Sequence, residues 1–498
     1  MHGPGPSTSP PSRINKRDVN DRFLILYQRS TLGSVLLWLL IGAGIWFTFR
    51  SGFVQFRYFT RLRLFLRNSG SPDPSGISSF QALCTSLAAR VGSGNLAGIA
   101  LAISAGGPGS VFWMWVAAVL SMATAFAECS LAQLYKTRDK EGNYRGGPAW
   151  YMERGLGMRW MGVLFSIFLI VAFGMVFNAV QANSIAIATQ YAFDVPKIWV
   201  GLFLVAMTAL VIWRGMRTIA RLSQWLVPLM ALLWVFMSLY VVGLHIERFP
   251  EVIRLIFSHA FGWHEAASGA LGYTVSQAIT NGFQRGMFSN EAGMGSTPNA
   301  AAAAAAWPPH PATQGVVQMF GVLIDTVIIC TATAAIVLMS GMMDGIETSR
   351  SGIILVQQAL SSAVGGWGSG FIVIIVFLFA FTSIMANYTY AENNLLFLNQ
   401  DSRALKFLLR FMVLAMVMFG TQAALPLVWQ LADVAMAIMA ITNITAILLL
   451  SPVVKAIAAD YLRQQKLGIS PIFNPNRFPE IKNQLAPGVW DRNVEKKP

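Results

Sequence analysis

Residues 88–98 read Ala-Ala-Arg-Val-Gly-Ser-Gly-Asn-Leu-Ala-Gly and interrupt a long apolar span with glycines and polar side chains. Glycine is a poor helix former, and a backbone group that leaves a helix inside lipid must find another partner. Residues 286–296, Gly-Met-Phe-Ser-Asn-Glu-Ala-Gly-Met-Gly-Ser, interrupt a second apolar span in the same way. Such breaks are costly unless they line a site, so we expect residues 92–95 and 289–295 to be non-helical and adjacent near the membrane midplane.

The composition excludes an ordinary soluble protein, because 55% of the 498 residues are hydrophobic and only 12% are charged. The formal net charge of +14 would suit a nucleic-acid partner. However, the basic residues lie in short loops beside apolar spans, where the positive-inside rule accounts for them, and we predict no nucleic-acid binding. The three cysteines fall inside apolar spans and are odd in number, which argues against a disulfide framework. We predict an all-α polytopic membrane protein in the lipid bilayer.

Eleven apolar stretches are long enough to cross a membrane. They cover residues 31–48, 77–105, 110–134, 160–189, 197–213, 220–244, 267–306, 314–341, 371–398, 404–420 and 426–450. Residues 1–30 are predicted to be a disordered, basic N-terminal segment, residues 31–450 the transmembrane domain, and residues 451–498 a C-terminal tail. The distribution of Lys and Arg over alternate loops places that tail in the cytoplasm, although the basic N-terminal segment favours the opposite orientation.

The two breaks fall in the second and seventh spans, which are five spans apart. Because five is odd, the halves containing them face opposite ways across the membrane. Residues 77–244 and 267–450 can therefore form an inverted repeat in which each half opens with a broken helix, and the first span is an extra element. This 5+5 arrangement with one additional N-terminal helix is the plan of the leucine-transporter-type fold.

A half-helix that ends inside the membrane presents free N–H groups at one end and free C=O groups at the other. The first can hold a carboxylate and the second a cation. Glycines let a small ligand approach the backbone, and neighbouring polar side chains add hydrogen-bonding groups. The candidates are Gly92, Ser93, Gly94, Asn95, Ser289, Asn290, Gly293, Gly295 and Ser296. The alternative for Gly94 and Gly98 is helix packing, since they form a Gly-xxx-Gly pair.

Charged side chains inside apolar spans are candidates for function because they are costly there. These residues are Arg90, Glu128, Arg285, Glu291, Asp325, Glu392 and Asp433. For each, the alternative is a buried partner that holds helices in register. Arg90 and Arg285 lie on the approaches to the first and second breaks, and with Glu291 they are candidate gate residues.

Other motifs do not support a cofactor or an enzyme. The Gly-x-Gly of the first break lacks the third glycine and the βαβ context of a dinucleotide site. His259 and His264 are not spaced to share a helix face, and His245 is further away, so a metal site there is not predicted. We find no nucleophile elbow or phosphate loop.

At the breaks the chain resembles the alanine or glycine:cation symporter family, the sodium:alanine symporters. The resemblance covers nearly the whole chain beyond the N-terminal segment. Its motifs are Arg-Val-Gly-Ser-Gly-Asn-Leu-Ala-Gly at 90–98, Gly-Gly-Pro-Gly at 106–109, Phe-Trp-Met-Trp at 112–115, Gly-Gly-Pro at 146–148 and Phe-Ser-Asn-Glu-Ala-Gly-Met-Gly-Ser at 288–296. It implies a leucine-transporter-type fold in a bacterial-type plasma (inner) membrane and uptake of small neutral amino acids driven by sodium.

The resemblance also implies a set of site residues. Amino-acid contacts would come from residues 92–95, from Gln181 and from residues 288–293, including Phe288. Sodium would lie near the carbonyl groups of the first break and the hydroxyls of Thr382 and Ser383, and oxygen ligands suit a hard cation.

Two positions depart from the family pattern. Ser93 stands where the family typically has threonine, a change that keeps the hydroxyl. Residues 383–387 read Ser-Ile-Met-Ala-Asn where the family usually reads Thr-Ile-Leu-Gly-Trp, so Asn387 replaces an aromatic wall with an amide. We expect the pocket to accept a larger or more polar neutral amino acid than alanine or glycine. The alternative is that neighbouring side chains refill the volume.

The sequence thus favours a secondary active symporter that couples sodium, or protons, to amino-acid uptake. A channel, or a transporter-like receptor that binds an amino acid without concentrating it, is the alternative.

Overall fold

The computed structural model describes residues 33–58, 75–262, 271–341, 352–399 and 402–490. The predicted N-terminal segment 1–30 and His264 lie outside these residues. The described chain is helical apart from one short hairpin, β1 (Thr137–Arg138) and β2 (Tyr144–Arg145). The first helices are α1 (Gly33–Arg50), α2 (Val54–Arg57), α3 (Ser79–Arg90), α4 (Ala97–Gly106), α5 (Gly109–Leu134), α6 (Pro148–Leu156), α7 (Arg159–Phe193), α8 (Lys197–Ile212) and α9 (Met216–Leu244).

The second part of the chain continues in the same manner. Its helices are α10 (Phe249–Ala260), α11 (Leu271–Asn290), α12 (Thr297–Ala303), α13 (Pro311–Met339), α14 (Ile353–Val364), α15 (Trp367–Asn399), α16 (Arg403–Gln422), α17 (Leu425–Leu449), α18 (Ser451–Lys466) and α19 (Pro479–Lys482). Helices α7 and α13 each contain a π-helical segment, Ala172–Val176 and Leu323–Ile329.

Seven described helices are long and apolar enough to cross a membrane, namely α5, α7, α9, α13, α15, α16 and α17. The pair α3 and α4 is an eighth candidate, because together the two helices pass the same test but are bent by 61°. Within the described residues, α1, α8 and α14 are shorter apolar helices. The helical class of fold is therefore confirmed, and the count of eleven spans stays a prediction.

The predicted spans did not include α6, α10 and α14, which lie between longer helices. Helix α10 has one strongly apolar face, and Phe112 and Phe257 pack there with ring centroids 5.4 Å apart. All three helices have 12 residues or fewer, which is too short to cross a membrane, and this explains why the prediction from apolar spans omitted them.

The core is built around two long helices. Helix α5 packs against both α11 and α13, and α7 packs against α15 and α16. Helix α3 contacts α9 and α15, so the first broken helix lies inside the bundle. Because of this position, the residues from 82 to 100 are buried.

The described part of the C-terminal tail, residues 451–490, packs against the bundle. The indole of Trp490 donates to the carbonyl of Leu134 at 3.0 Å, and the backbone N–H of Phe473 donates to the carbonyl of Pro309 at 3.0 Å. Asp460 lies 3.5 Å from the ring of buried His310. Burial raises the pKa of Asp460, but hydrogen bonds, the first of them with His310, outweigh it and lower that pKa to about 2. These contacts hold the tail against the end of α5.

Candidate functional site

The first broken helix is interrupted at residues 91–96. Helix α3 ends at Arg90, Ser93–Asn95 form one 3₁₀ turn, and α4 begins at Ala97. The backbone N–H of Gly92 donates to the side-chain oxygen of Asn95 at 3.0 Å. The N–H of Gly92, which has no helical partner, is thereby satisfied within the break, as a buried backbone group must be.

The second broken helix is interrupted at residues 291–296, between α11 and α12. The backbone φ is +55° at Glu291, +85° at Gly293 and +83° at Gly295. Left-handed backbone ends a right-handed helix, and glycine adopts it without the Cβ penalty. The expected non-helical stretch began at Ser289, but Ser289 and Asn290 are the last residues of α11, because the first left-handed residue is Glu291.

The first break contacts the last turn of α11, directly before the second break. The side-chain amide of Asn95 donates to the hydroxyl of Ser289 at 3.0 Å. A Cβ atom on Gly94 would lie 3.1 Å from ring carbons of Phe288, so the ring approaches the backbone as closely as glycine allows. Gly94 therefore packs against a side chain at the end of α11, and its role as a substrate contact stays a prediction.

Several oxygens converge at the end of α3. The hydroxyl oxygen of Ser383 lies 2.8 Å from the carbonyl oxygen of Ala88, 3.5 Å from that of Val91 and 3.0 Å from that of Phe379. The hydroxyl oxygen of Thr382 lies 2.9 Å from the same Phe379 carbonyl. Carbonyl groups at the end of a half-helix carry partial negative charge. All the possible cation ligands in this set are oxygen atoms. It suits a hard monovalent cation.

Gly92 connects these oxygens with Gln181. A Cβ atom on Gly92 would lie 2.6 Å from the Ser383 hydroxyl oxygen and 2.8 Å from the Gln181 side-chain oxygen. That same Gln181 oxygen accepts from the backbone N–H of Ser93 at 2.8 Å. The missing side chain at position 92 therefore lets polar groups from α7 and α15 reach the first break.

An aromatic cluster lies beside the second break. The ring of Phe288 stacks on Phe177 at 5.0 Å and contacts Trp429 with centroids 4.9 Å apart. Arg285 lies 5.0 Å above the Trp429 ring and forms a salt bridge with Asp433 at 3.2 Å. The gate candidate Arg285 thus joins α11 to α17 directly above the cluster.

Asn387 lies one helical turn beyond Ser383 and is buried. Its side-chain nitrogen donates to the side-chain oxygen of Asn178 at 3.1 Å, and Asn178 lies three residues before Gln181 on α7. Sequence reasoning missed Asn178. The available signal was its spacing, because residues three apart on a helix share a face.

A second polar network holds the second break at Gly293. The carboxylate of Glu128 accepts from the N–H of Gly293 at 3.3 Å and from the amide of Asn443 at 2.9 Å, and Asn443 also donates to the Gly293 carbonyl at 2.9 Å. Both polar backbone groups of Gly293 are therefore used within the protein. The structure does not bring this predicted substrate contact together with residues 92–95.

The remaining gate candidates are buried between the breaks and their neighbours. Arg90 donates to the Thr297 hydroxyl at 3.1 Å and to the Gln318 carbonyl at 3.2 Å. Glu291 accepts from the Ser296 hydroxyl at 2.6 Å. Arg90 therefore ties the end of α3 to the start of α12 and to α13.

Among the described residues, four buried polar atoms around the breaks have no hydrogen-bond partner. They are one terminal guanidinium nitrogen of Arg90, the hydroxyl of Ser93, the side-chain nitrogen of Asn290 and the side-chain oxygen of Asn387. Leaving a buried polar group unpaired costs about 1–3 kcal/mol, so such groups are normally satisfied by protein, water or a ligand. Ser93, Asn290 and Asn387 belong to the residues predicted to contact substrate.

A polar, partly unsatisfied site between two broken helices, inside a bundle of long apolar helices, defines a multi-pass membrane transporter. A family model described as the sodium:alanine symporter family matches residues 18–475. The chain belongs to that family, which consists of transporters and not of enzymes.

Curated relatives align over most of their own length. "Uncharacterized transporter YaaJ" of Escherichia coli (strain K12) is 61% identical over 92% of this chain and 96% of that protein. "Probable sodium/glutamine symporter GlnT" of Bacillus subtilis (strain 168) is 47% identical, with 92% and 93% covered. "Sodium/proton-dependent alanine carrier protein" of Bacillus sp. (strain PS3) is 35% identical, with 83% and 94% covered. A solved mutant of the Eremococcus coleocola manganese transporter matches with a TM-score of 0.47 at 14% identity, over 76% of this chain and 77% of that one.

Proposed function

We propose that this protein is a secondary active symporter that couples the inward movement of Na⁺, with H⁺ as the alternative, to uptake of a small neutral amino acid. The observation that carries the proposal is the position of Gly92. It lies against the oxygen set around Ser383 on one side and against Gln181 on the other. Cation and amino acid would then bind to the same short stretch of backbone. Binding of either one would fix the conformation of the first break and so raise the affinity for the other.

The chemistry of the half-helices suits a zwitterion. N–H groups at the start of α4 and the amide of Gln181 would receive the carboxylate, because the N-terminal end of a helix attracts negative charge. Carbonyl groups at the end of α11 would receive the ammonium group, since that end carries partial negative charge. Phe288, Phe177 and Trp429 would cover the bound molecule on the Arg285 side.

For the finer architecture, our proposal is the one predicted from the sequence. We propose eleven spans in a 5+5 inverted repeat plus α1, in a bacterial inner membrane, with the C-terminal tail in the cytoplasm. The Arg285–Asp433 salt bridge then lies on the outer approach and Arg90 on the cytoplasmic approach. Opening the outer path requires this salt bridge to separate, and opening the inner path requires α3 to leave Thr297 and Gln318.

The pair Asn178 and Asn387 supports a polar amino acid. Asn387 donates to Asn178 and keeps an unpaired buried oxygen that can accept from a substrate side chain. Serine, asparagine and glutamine offer such a donor, whereas alanine and glycine do not. One relative is named a probable sodium/glutamine symporter and another a sodium/proton-dependent alanine carrier, which agrees with a pocket for neutral amino acids.

Uptake of labelled amino acid into proteoliposomes tests the function. With an inward Na⁺ gradient, and separately an inward H⁺ gradient, we expect glutamine, serine, alanine or glycine to accumulate above the outside concentration. A receptor would bind without accumulation, and a channel would only equilibrate. Failure of every neutral amino acid to concentrate under either gradient would refute symport.

Replacing Asn387 tests the substrate pocket. Asn387→Trp should restrict transport toward glycine and alanine because the ring refills the volume. Asn387→Ala should weaken serine and glutamine uptake about tenfold relative to glycine, because their polar groups lose a partner. Glycine, which has no side chain, is the internal control in a competition panel. Identical rankings for wild type and both variants would show that Asn387 does not shape the pocket.

A further inference from the structure

A polar cavity of about 230 Å³ lies apart from the broken-helix site. It is lined by residues 75–77, 143–145 and 214–217 and by Ala303. These segments come from the stretch before α3, the β1–β2 hairpin, the α8–α9 connection and the end of α12. In the eleven-span prediction, the four corresponding loops all lie on the same side of the membrane, the one proposed to be cytoplasmic.

The charge that lines this cavity is positive. Arg145, Arg214 and Arg217 contribute guanidinium groups, and the lining residues that the structure describes include no Asp or Glu. Asp139 compensates Arg145 through a salt bridge at 2.9 Å, and Arg217 donates to the side-chain oxygen of Asn143. Within the described ranges, the exposed guanidinium of Arg214 makes no ion pair. The charge of Arg214 is therefore available to an anion.

An apolar groove on α8 leads to the same arginine. The groove has a volume of about 500 Å³ and is lined by Ala206, Ala209, Leu210, Trp213 and Arg214. Leu210 is 65% exposed and Trp213 is 48% exposed, so this face of α8 is turned toward lipid. Tryptophan is enriched where a membrane meets water, and Trp213 follows directly on the last residue of α8. The groove thus runs from the apolar part of the bilayer to its polar surface.

Arg214 lines both the groove and the cavity, so an apolar surface and an anion-binding surface meet at one residue. A second cation is close by, because the guanidinium of Arg410 on α16 lies 5.3 Å from the ring of Trp213. A molecule with an apolar chain and a negatively charged head matches both surfaces, whereas a soluble anion would use the cavity alone. Basic pockets beside membrane helices on the cytoplasmic side bind the headgroups of anionic lipids.

We propose that the groove and the cavity together form a binding site for one anionic phospholipid of the adjacent leaflet. An acyl chain lies along α8, and the phosphate of the headgroup binds at Arg214.

The headgroup would lie beside the backbone that joins the two broken helices. The N–H of Ile77 donates to the carbonyl of Ala303 at 3.1 Å, and the N–H of Ala305 donates to the carbonyl of Ile77 at 2.9 Å. The N–H of Tyr144 donates to the carbonyl of Ser75 at 2.8 Å. A bound lipid would hold the α8–α9 connection against these segments and so stabilise the closed ends of α3 and α12. Lipid binding is independent of the proposed symport, whereas this effect on transport rests on it.

Native mass spectrometry of the full chain in detergent tests the binding without a membrane surface potential. Phosphatidylglycerol is the anionic probe and phosphatidylcholine the neutral one. We expect wild type to bind phosphatidylglycerol preferentially, and Arg214→Gln to bind it about fivefold more weakly. Arg221→Gln is the matched control, because Arg221 is an exposed arginine of α9 that lines neither surface, and its affinity should equal that of wild type. Equal binding of the two lipids by wild type, or equal losses in the two variants, would overturn the proposal.

Filling the groove distinguishes a lipid from a soluble phosphate. Ala206→Trp places an indole where the acyl chain would lie and leaves every charge in place, so phosphatidylglycerol binding should weaken about fivefold. Leu202→Trp is the control, because Leu202 is exposed on the same helix outside the groove. Unchanged binding in Ala206→Trp, or displacement of the lipid by inorganic phosphate, would assign the cavity to a soluble anion and refute the lipid site.

Uptake into proteoliposomes tests the effect on transport. Adding phosphatidylglycerol to phosphatidylcholine vesicles should raise the initial rate in wild type and Arg221→Gln but not in Arg214→Gln, because a closed inner end favours the outward-facing state that takes up substrate. Equal stimulation of all three proteins would reflect vesicle surface charge and contradict the transport role. Wild type that concentrates no amino acid in either vesicle refutes the proposed function instead, and the binding measurement still decides the lipid site.

Discussion

Replacing Gly92 with alanine is expected to lower amino-acid uptake at least about 100-fold. The added Cβ would lie 2.6 Å from the Ser383 hydroxyl oxygen and 2.8 Å from the Gln181 side-chain oxygen. Both neighbours belong to the proposed binding groups, so neither can move away without disturbing the cation or the amino acid. Initial rates of labelled uptake in proteoliposomes, normalised to reconstituted protein, measure the effect.

Gly98→Ala is the matched control for Gly92→Ala. Gly98 is buried six residues further along the same broken helix, and its nearest contact to an added Cβ is an ordinary 3.5 Å to Trp429. Gly98 lies in a helix, and alanine adopts helical backbone angles without strain. Uptake within about twofold of wild type is expected. Similar losses in both variants would indicate a general packing defect and would contradict a specific site at Gly92.

Ser383→Ala is expected to raise the Na⁺ concentration for half-maximal uptake about tenfold. The change removes the one hydroxyl that contacts carbonyls of both the broken helix and α15. Thr382→Ala should act in the same direction but more weakly. Among the described residues, the oxygens that the Thr382 hydroxyl contacts are all carbonyls of its own helix. Na⁺ titrations of uptake at fixed amino-acid concentration give these values.

Thr389→Val provides the control for the hydroxyl substitutions. The Thr389 hydroxyl is buried on the same helix and donates to the carbonyl of Ala386 at 2.7 Å, without contacting either break. Its sodium dependence should match that of wild type. If Ser383→Ala and Thr382→Ala also match wild type, sodium does not bind at these hydroxyls.

The local chemistry of the sequence predicted the breaks. Glycine and polar clusters inside apolar spans indicated where helices could not continue, because propensity and membrane solvation act over a few neighbouring residues. The contacts of Gly94 with Phe288 and of Asn95 with Ser289 agree with the expected adjacency. The end of α11 differed by two residues, since helix termination at Glu291 depends on a left-handed backbone conformation that residue type alone does not dictate.

Composition and periodicity by themselves determined that the chain is a helical membrane protein with two broken helices. Only the tertiary structure decided which polar groups meet. Asn178 pairs with Asn387 between α7 and α15, and Gly293 is held by Glu128 and Asn443. Asp325 of α13 accepts from Asn95 in the first break and from Ser289 at the end of α11. The partners lie far apart in the chain, with 230 positions between Asn95 and Asp325. Their contacts depend on helix rotation and packing between distant spans, which local patterns do not encode.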